Sequence, residues 1–412
     1  MRTTDPSAAA LSGRPRRVAI ALLVLGVFAS CAAAAMATDQ QTLAGGPTYK
    51  VAGTIGKEGT GNGQFSTGVT GLAVDAAGNL YVSDGNLTRV QAFTAKGAFL
   101  RKYAMVPGEG STADVAVGPT GDVWATTDTG ALVRRFTKSG SAAETLTTPK
   151  SASGVAVDAD GNVYVSTSGD NVAGVVRFDK TDTGWAAAKM WVGGGFQWPV
   201  DVETSPDGTV YVADVMGAPP SVKHFDANGK LLKKINMKMP ATAGAGVQLG
   251  IGVDPDCNVW ATNNGERNVM LYSPSGKLLA TATSGDMLAK DIAVGPNGDL
   301  YAYEAYTKKI IRFTLDRSKP AAAVVPGRIT VSKGKARIKY TLAGVSCPAQ
   351  VSAVASLGGA VKGKAAVKVG AGKTTVISIP AKGASGKAQF KIVLKTNGRP
   401  TTQTASVNVT VR

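Results

Sequence analysis

Residues 71–93 read GLAVDAAGNLYVSDGNLTRVQAF. Three short strands can be parsed from them. Leu72, Ala73 and Val74 form an apolar run that ends in the turn Asp75–Asn79, where Gly78 takes the place that needs a positive φ. Tyr81 and Val82 carry the second run; Val90 and Phe93 carry the third. The phrase returns five more times. Its second-run aromatic recurs as Trp124, Tyr164, Tyr211, Trp260 and Tyr301, at spacings of 43, 40, 47, 49 and 41 residues. Its third-run aromatic follows 12 to 14 residues later as Phe136, Phe178, Phe225, Tyr272 and Phe313. The turn glycine recurs as Gly121, Gly161, Gly208 and Gly298, with Cys257 in its place in the fifth unit.

A repeat of this length built from four short strands has the size of one blade of a β-propeller. A lone blade cannot bury both faces of its sheet, so its aromatics must pack on the next one. The expected fold is therefore all-β, with six blades over residues 48–316. The last unit stops near Asp316 after three strands. Tyr49–Ile55, upstream of the first unit, is predicted to supply the missing outer strand and close the ring.

The stretch Gly59-Thr-Gly-Asn-Gly-Gln-Phe65, followed by GLAVD, GNLYVSD and RVQAF, resembles the NHL repeat. That resemblance covers about residues 48–316 and implies a six-bladed propeller of a secreted bacterial type. Most members act as scaffolds that bind protein, nucleic acid or glycan, and some relatives are enzymes. Fold alone therefore implies no activity.

The two ends differ from the ring. Arg2, Arg14, Arg16 and Arg17 precede an apolar stretch from Val18 to Ala37, and Ala35-Met-Ala37 fits a small-x-small cleavage site. Residues 1–37 thus read as a signal peptide, with Arg16-Arg17 hinting at the twin-arginine route. Phe28-Ala-Ser-Cys31 leaves lipidation open, and an uncleaved anchor is a third reading. All three place the protein outside the cytoplasm, secreted or on the envelope. The chain ends at Arg412 with no apolar stretch behind it, and no transmembrane segment is expected after cleavage.

Residues 317–327, which include Lys319-Pro-Ala-Ala-Ala-Val-Val-Pro326, read as a linker. Beyond it, alternating runs such as Ile338, Tyr340 and Leu342, then Phe390, Ile392 and Leu394, then Val407, Val409 and Val411, suggest a small immunoglobulin-like β-sandwich over 328–412. Cys257 and Cys347 fall in different domains. They are either two separate thiols or a staple from propeller to tail. The staple reading draws on the cost, about 1 kcal/mol, of a non-glycine residue in a left-handed turn.

Charge divides the chain sharply. The net charge is +17, yet residues 38–316 hold 24 basic and 27 acidic side chains. From Arg317 to Arg412 there are 17 Lys and Arg and no Asp or Glu. Such a module cannot neutralise itself and is drawn to polyanions, here anionic cell-wall or extracellular polymers. Nucleic acid is not expected as a partner. Export disfavours it, and Tyr340 and Phe390 are the tail's only aromatics, too few for base stacking. A plainer reading of the same lysines is a solubilising, edge-blunting surface.

His224 is the single histidine. A three-His zinc site and a His-x-x-x-His protease site are excluded, and so is the His-rich site of the amidating-lyase propellers. There is no Gly-x-Ser-x-Gly elbow for a hydrolase triad. His224 lies where other units carry Ala92, Arg135, Arg177, Leu271 and Arg312, and that tolerance suggests an outer surface position.

The residue opening each blade's first strand alternates around the ring: Gly71, Asp114, Gly154, Asp201, Gly250 and Asp291. Glu203 shares the side of its strand with Asp201. Asp114, Asp201, Glu203 and Asp291 are therefore candidate ligands for Ca²⁺ or another divalent cation in the channel. The competing reading is that the three aspartates accept hydrogen bonds from loop amides. Leading into Asp201, the loop 193–198 offers Phe196 and Trp198, and the loop from Asp214 to Ser221 offers Met216. Phe196, Trp198, Asp201 and Met216 are the candidate ligand-binding residues, although the two aromatics could equally plug the interface between blades 3 and 4.

The expected function is an exported, non-catalytic binding or scaffold protein. Its propeller face would take a protein or glycan ligand, and its basic sandwich would bind envelope polymers, with no cofactor required. The alternative is a metal-dependent hydrolase resembling the gluconolactonase-like propellers, with Asp114, Asp201, Glu203 and Asp291 around the ion.

Overall fold

The computed structural model describes residues 47–412, apart from 107, 129, 169–172, 193, 218, 238–248, 317–322 and short stretches of the C-terminal region. The leader read at 1–37 lies outside the described residues. Among those described, no helix is long and apolar enough to cross a membrane.

Six four-stranded antiparallel sheets form the propeller. Blade 1 runs through Val69–Val74, Leu80–Asp84, Arg89–Phe93 and Phe99–Ala104 in that order. Blades 2 to 5 open with Thr112–Val117, Ser151–Val157, Pro199–Thr204 and Ile251–Val253 and repeat the pattern. Blade 6 takes three strands from its own segment, Ala289–Val294, Leu300–Glu304 and Lys309–Leu315. Its fourth is Tyr49–Ile55, antiparallel to Lys309–Leu315 from Tyr49↔Leu315 to Ile55↔Ile310. The predicted ring closure is present. The chain then crosses directly into blade 1, and Phe65, fully buried, packs edge-on against both Phe93 and Tyr303. One stretch therefore ties the last blade to the first.

The two aromatics of each repeat explain why the ring needs every blade. They lie on neighbouring strands and face opposite sides of the sheet, as the period-two rule requires. Each interblade core joins the second-strand aromatic of one blade to the third-strand aromatic of the next: Tyr81 with Phe136, Trp124 with Phe178, and Tyr164 with Phe225. Tyr211 with Tyr272, Trp260 with Phe313, and Tyr301 with Phe93 complete the circle. Burying one such side chain is worth about 1.5–3 kcal/mol, so a blade without neighbours forfeits most of its stabilisation.

His224 corrects a sequence expectation. It is buried rather than on the outer surface, stacked flat on Tyr211 with centroids 4.2 Å apart, and its Nε2 lies 2.8 Å from Thr209 Oγ1. The register gives the reason: this position is always the cross-strand partner of the second-strand aromatic. The pairs are Tyr81↔Ala92, Trp124↔Arg135, Tyr164↔Arg177, Tyr211↔His224, Trp260↔Leu271 and Tyr301↔Arg312. The guanidiniums of Arg135 and Arg177 lie over their aromatic partners. What the position selects is a side chain that can cover a ring, and Ala, Arg, Leu and His look unrelated only in the linear sequence.

Cys257 has φ 61°, the left-handed value that its glycine counterparts adopt at 80–87°. It is disulfide-bonded to Cys347, which lies between the second and third strands of the tail. The staple, not two separate thiols, is what the structure contains.

The tail has seven strands in the described residues. Ala323–Ser332, Lys335–Ala343 and Thr374–Pro380 form one sheet. Ala360–Val369, Ala349–Leu357, Gly386–Thr396 and Arg399–Val411 form another, in that order. The first strand starts at Ala323, so it takes in the second half of the stretch read as a linker.

Candidate functional site

In blades 1 to 4 and 6 the first strand breaks register where the alternating Gly and Asp occur: between Val69 and Gly71, Thr112 and Val115, Ala152 and Val155, Pro199 and Asp201, and Ala289 and Ile292. A bulge re-aims the local backbone. Here it lets each aspartate reach the next blade. Asp114 accepts from Val155 N at 2.8 Å, Asp201 from Ile251 N at 2.7 Å, and Asp291 from Leu72 N at 2.6 Å. The glycines are the other half of the device. A Cβ on Gly71, Gly154 or Gly250 would sit 2.7, 2.6 and 2.7 Å from the Cα of Asp114, Asp201 and Asp291. Glycine lets the neighbouring strand come close, and aspartate stitches the following joint. The alternation thus arises from close packing at the axis and recurs three times around the ring.

The stitching leaves the channel electrostatically unbalanced. Burial pushes the Asp201 carboxyl up to about 7, although the amides of Ile251 and Val202 pull it down. Asp114, Glu203 and Asp291 are raised well above the usual range, first by burial and then by repulsion from the other channel acids. A carboxylate in a confined, low-dielectric site holds its proton more tightly. The four acids share the channel, yet among the described residues no three of them bring one oxygen each within 4.8 Å of one another. The one group of three that does is Asp207 with Cys257 and Cys347, whose sulfurs are bonded to each other and are not thiolate ligands.

The loop into blade 4 is built differently from its sequence reading. Phe196 is half-buried and stacked on Phe225 at 5.3 Å, so it seals the core of blades 3 and 4. Trp198 is 43% exposed and Met216 53% exposed. Val215 N donates to Trp198 O at 3.1 Å, which sets the two segments side by side on one face of the ring. Asp201 turns instead into the channel. Of the four candidate ligand-binding residues, the structure therefore brings two together at the surface, and places one in the core and one at the axis.

A buried ion pair anchors this loop, and the sequence reading missed it. The Asp214 carboxylate accepts from Trp198 N at 2.7 Å and from Gln197 N at 3.1 Å, and pairs with Lys223 Nζ at 2.6 Å. Lys223 also donates to Gly195 O at 2.7 Å. The device recurs. Asp84 accepts from Ser66 N, Asp128 from Ser111 N, and Glu304 from Leu288 N. The available signal was the acid at or just after the end of the second run in each of these units.

The face bearing Trp198 and Met216 carries the connections between blades and between second and third strands. Cys257 sits in a turn between first and second strands, at the opposite rim. The tail is tethered away from the Trp198 face.

The fold is that of a six-bladed β-propeller. No protein-family model matches the chain, and no curated protein matches it in sequence. Solved structures with similar architecture include a streptogramin B lyase (11% identity, TM-score 0.48, covering 66% of this chain and 98% of that one). A virginiamycin B lyase from Staphylococcus aureus aligns at 15% identity and TM-score 0.47, covering 71% and 96%. A gluconolactonase from Xanthomonas campestris aligns at 14% identity and TM-score 0.48, covering 65% and 99%. Likeness at this level assigns no activity, and the reading of the fold rests on the six sheets themselves.

Proposed function

We propose that this is an exported binding protein of NHL-propeller type, in which the ring presents a recognition face and the basic tail associates with anionic envelope polymers. One observation carries the reading of the ring. Trp198 and Met216 stand exposed on adjacent loops, and the backbone of the Trp198 loop is fixed from beneath by the buried Asp214–Lys223 pair. A rigid aromatic on a pinned loop loses little entropy on binding, and such residues dominate interfaces with proteins and sugars. The tether of the tail at the opposite rim leaves that face open.

The tail is read as an immunoglobulin-like sandwich. Supporting this, its first, second and fifth strands share one sheet and the remaining four share the other. With no acidic side chain to offset 17 basic ones, its natural partners are polyanions.

The second reading, a metal-dependent hydrolase, draws on the four channel carboxylates, which a divalent cation would relieve of mutual repulsion. Calorimetric titration of the full chain with Ca²⁺ separates the two. One tightly bound ion, lost in Asp201→Ala, favours the hydrolase. Capture of a protein or glycan from envelope fractions, lost in Trp198→Ala while the fold is kept, favours the binding protein. Equal capture by wild type and Trp198→Ala would remove the recognition face from the reading.

A further inference from the structure

The register of the tail sorts its lysines. In the four-stranded sheet, Gln350 lies opposite Lys368, Val354 opposite Lys364, Ser356 opposite Lys391, and Ser352 opposite Lys395. Lys387 and Lys391 lie opposite Thr410 and Ser406. Residues paired across strands share a face, so Lys364, Lys368, Lys387, Lys391 and Lys395 all fall on one side, with Ser, Thr and Gln and with Val354, Val393 and the exposed Ala366 between them. The other side holds Val351, Ala353, Ala355 and Leu357 opposite Val367, Leu394, Ile392 and Phe390. Val369, which shares that apolar side, is buried. In the three-stranded sheet Lys335, Arg337 and Lys339 pair with Pro380, Ser378 and Val376, and both Ser378 and Val376 are exposed. Each sheet thus has an apolar face and a basic one.

The spacing is as informative as the sign. Lysines four apart on a strand are about 13 Å apart, and the two lysine-bearing strands, separated by Ala349–Leu357, are about 10 Å apart. These gaps match or exceed a Debye length of about 8–10 Å, so the lysines repel one another little while a polymer laid across them meets several at once. The lysine face carries no aromatic residue to stack on a base or to enter a bilayer interface.

Resting on the reading of the tail as a polyanion-binding sandwich, we propose that Lys364, Lys368, Lys387, Lys391 and Lys395 form a docking surface for a linear anionic polysaccharide. Lys335, Arg337 and Lys339 on the other sheet form a second, smaller contact that lets one molecule bridge two polymer strands.

The test compares three variants of the full chain for binding to polygalacturonate and heparin over a range of salt. In the first, the five face lysines become Gln. In the second, they become Arg. The third is a charge-matched control, in which the exposed Lys57, Lys102, Lys138, Lys233 and Lys234 of the propeller become Gln. Circular dichroism confirms folding of each. The five-Gln variant is expected to lower the slope of log K against log salt by up to about four, at 0.7–0.9 per released counterion. The five-Arg variant and the control should bind as wild type does. Equal weakening in the five-Gln variant and the control overturns the assignment of the face while leaving general polyanion binding intact. Failure of wild type to bind either polymer overturns both. Binding to vesicles of phosphatidylcholine and phosphatidylglycerol but to neither polysaccharide overturns the polymer in favour of a membrane surface.

Discussion

The channel acids make the stability of the ring depend on pH in an unusual direction. Folding raises Asp201 from 3.8 to about 7, so between those values the folded state holds a proton that the unfolded chain has released. Stability therefore falls as pH rises from about 4 to about 7 and then levels off. A shift of about 3 units corresponds to about 4 kcal/mol at most, reduced to the extent that channel water reaches the carboxyl. Asp114, Glu203 and Asp291 are raised too and add in the same sense. His224 acts oppositely, because burial lowers its pKa below 6.5 and its contribution is lost as pH falls through that region. The difference between wild type and Asp201→Asn isolates the acid part. Urea unfolding at intervals from pH 4.5 to 8 should show wild type losing stability relative to the variant as pH rises. Asp201→Asn also relieves its three neighbours, which enlarges the difference. A difference that is flat, or that grows in favour of wild type above pH 7, would refute the reasoning that burial and mutual repulsion govern this site.

Other outcomes follow from single contacts. Gly250→Ala should destabilise by about 1–3 kcal/mol or more in thermal unfolding, because the new Cβ meets the backbone of Asp291, which cannot rotate away. Lys223→Met leaves Asp214 buried without its cation and should cost about 3–5 kcal/mol, with the emission of Trp198 shifting as its loop loosens. Cys257→Ser opens a 90-residue loop and should lower stability toward the chain-entropy value of about 4–5 kcal/mol, while Cys257→Gly should recover the turn's share of the loss. Deleting Tyr49–Ile55 exposes the edge at Lys309–Leu315, and the product should aggregate or oligomerise on size-exclusion chromatography.

Much of the ring was legible in the linear chain, because a repeat that must bury both faces of every blade stamps the same aromatics at the same places six times. The closing strand was legible as well, since a three-stranded last unit leaves an open edge and Tyr49–Ile55 lies unused upstream of the first unit. So were the alternating Gly and Asp, but not their purpose. The linear chain does not show that the bulges aim one oxygen of Asp114, Asp201 and Asp291 at the next blade's amide. Tertiary packing alone decided that Phe196 is core and Trp198 is surface, since the two differ by which side of one short loop faces Phe225. It also decided that His224 is buried and that Asp214 pairs with Lys223. Local sequence specifies which residues alternate along a strand. What each side chain meets across the gap between strands, or between blades, depends on register and on how closely the neighbouring sheet can approach, and those are properties of the assembled ring.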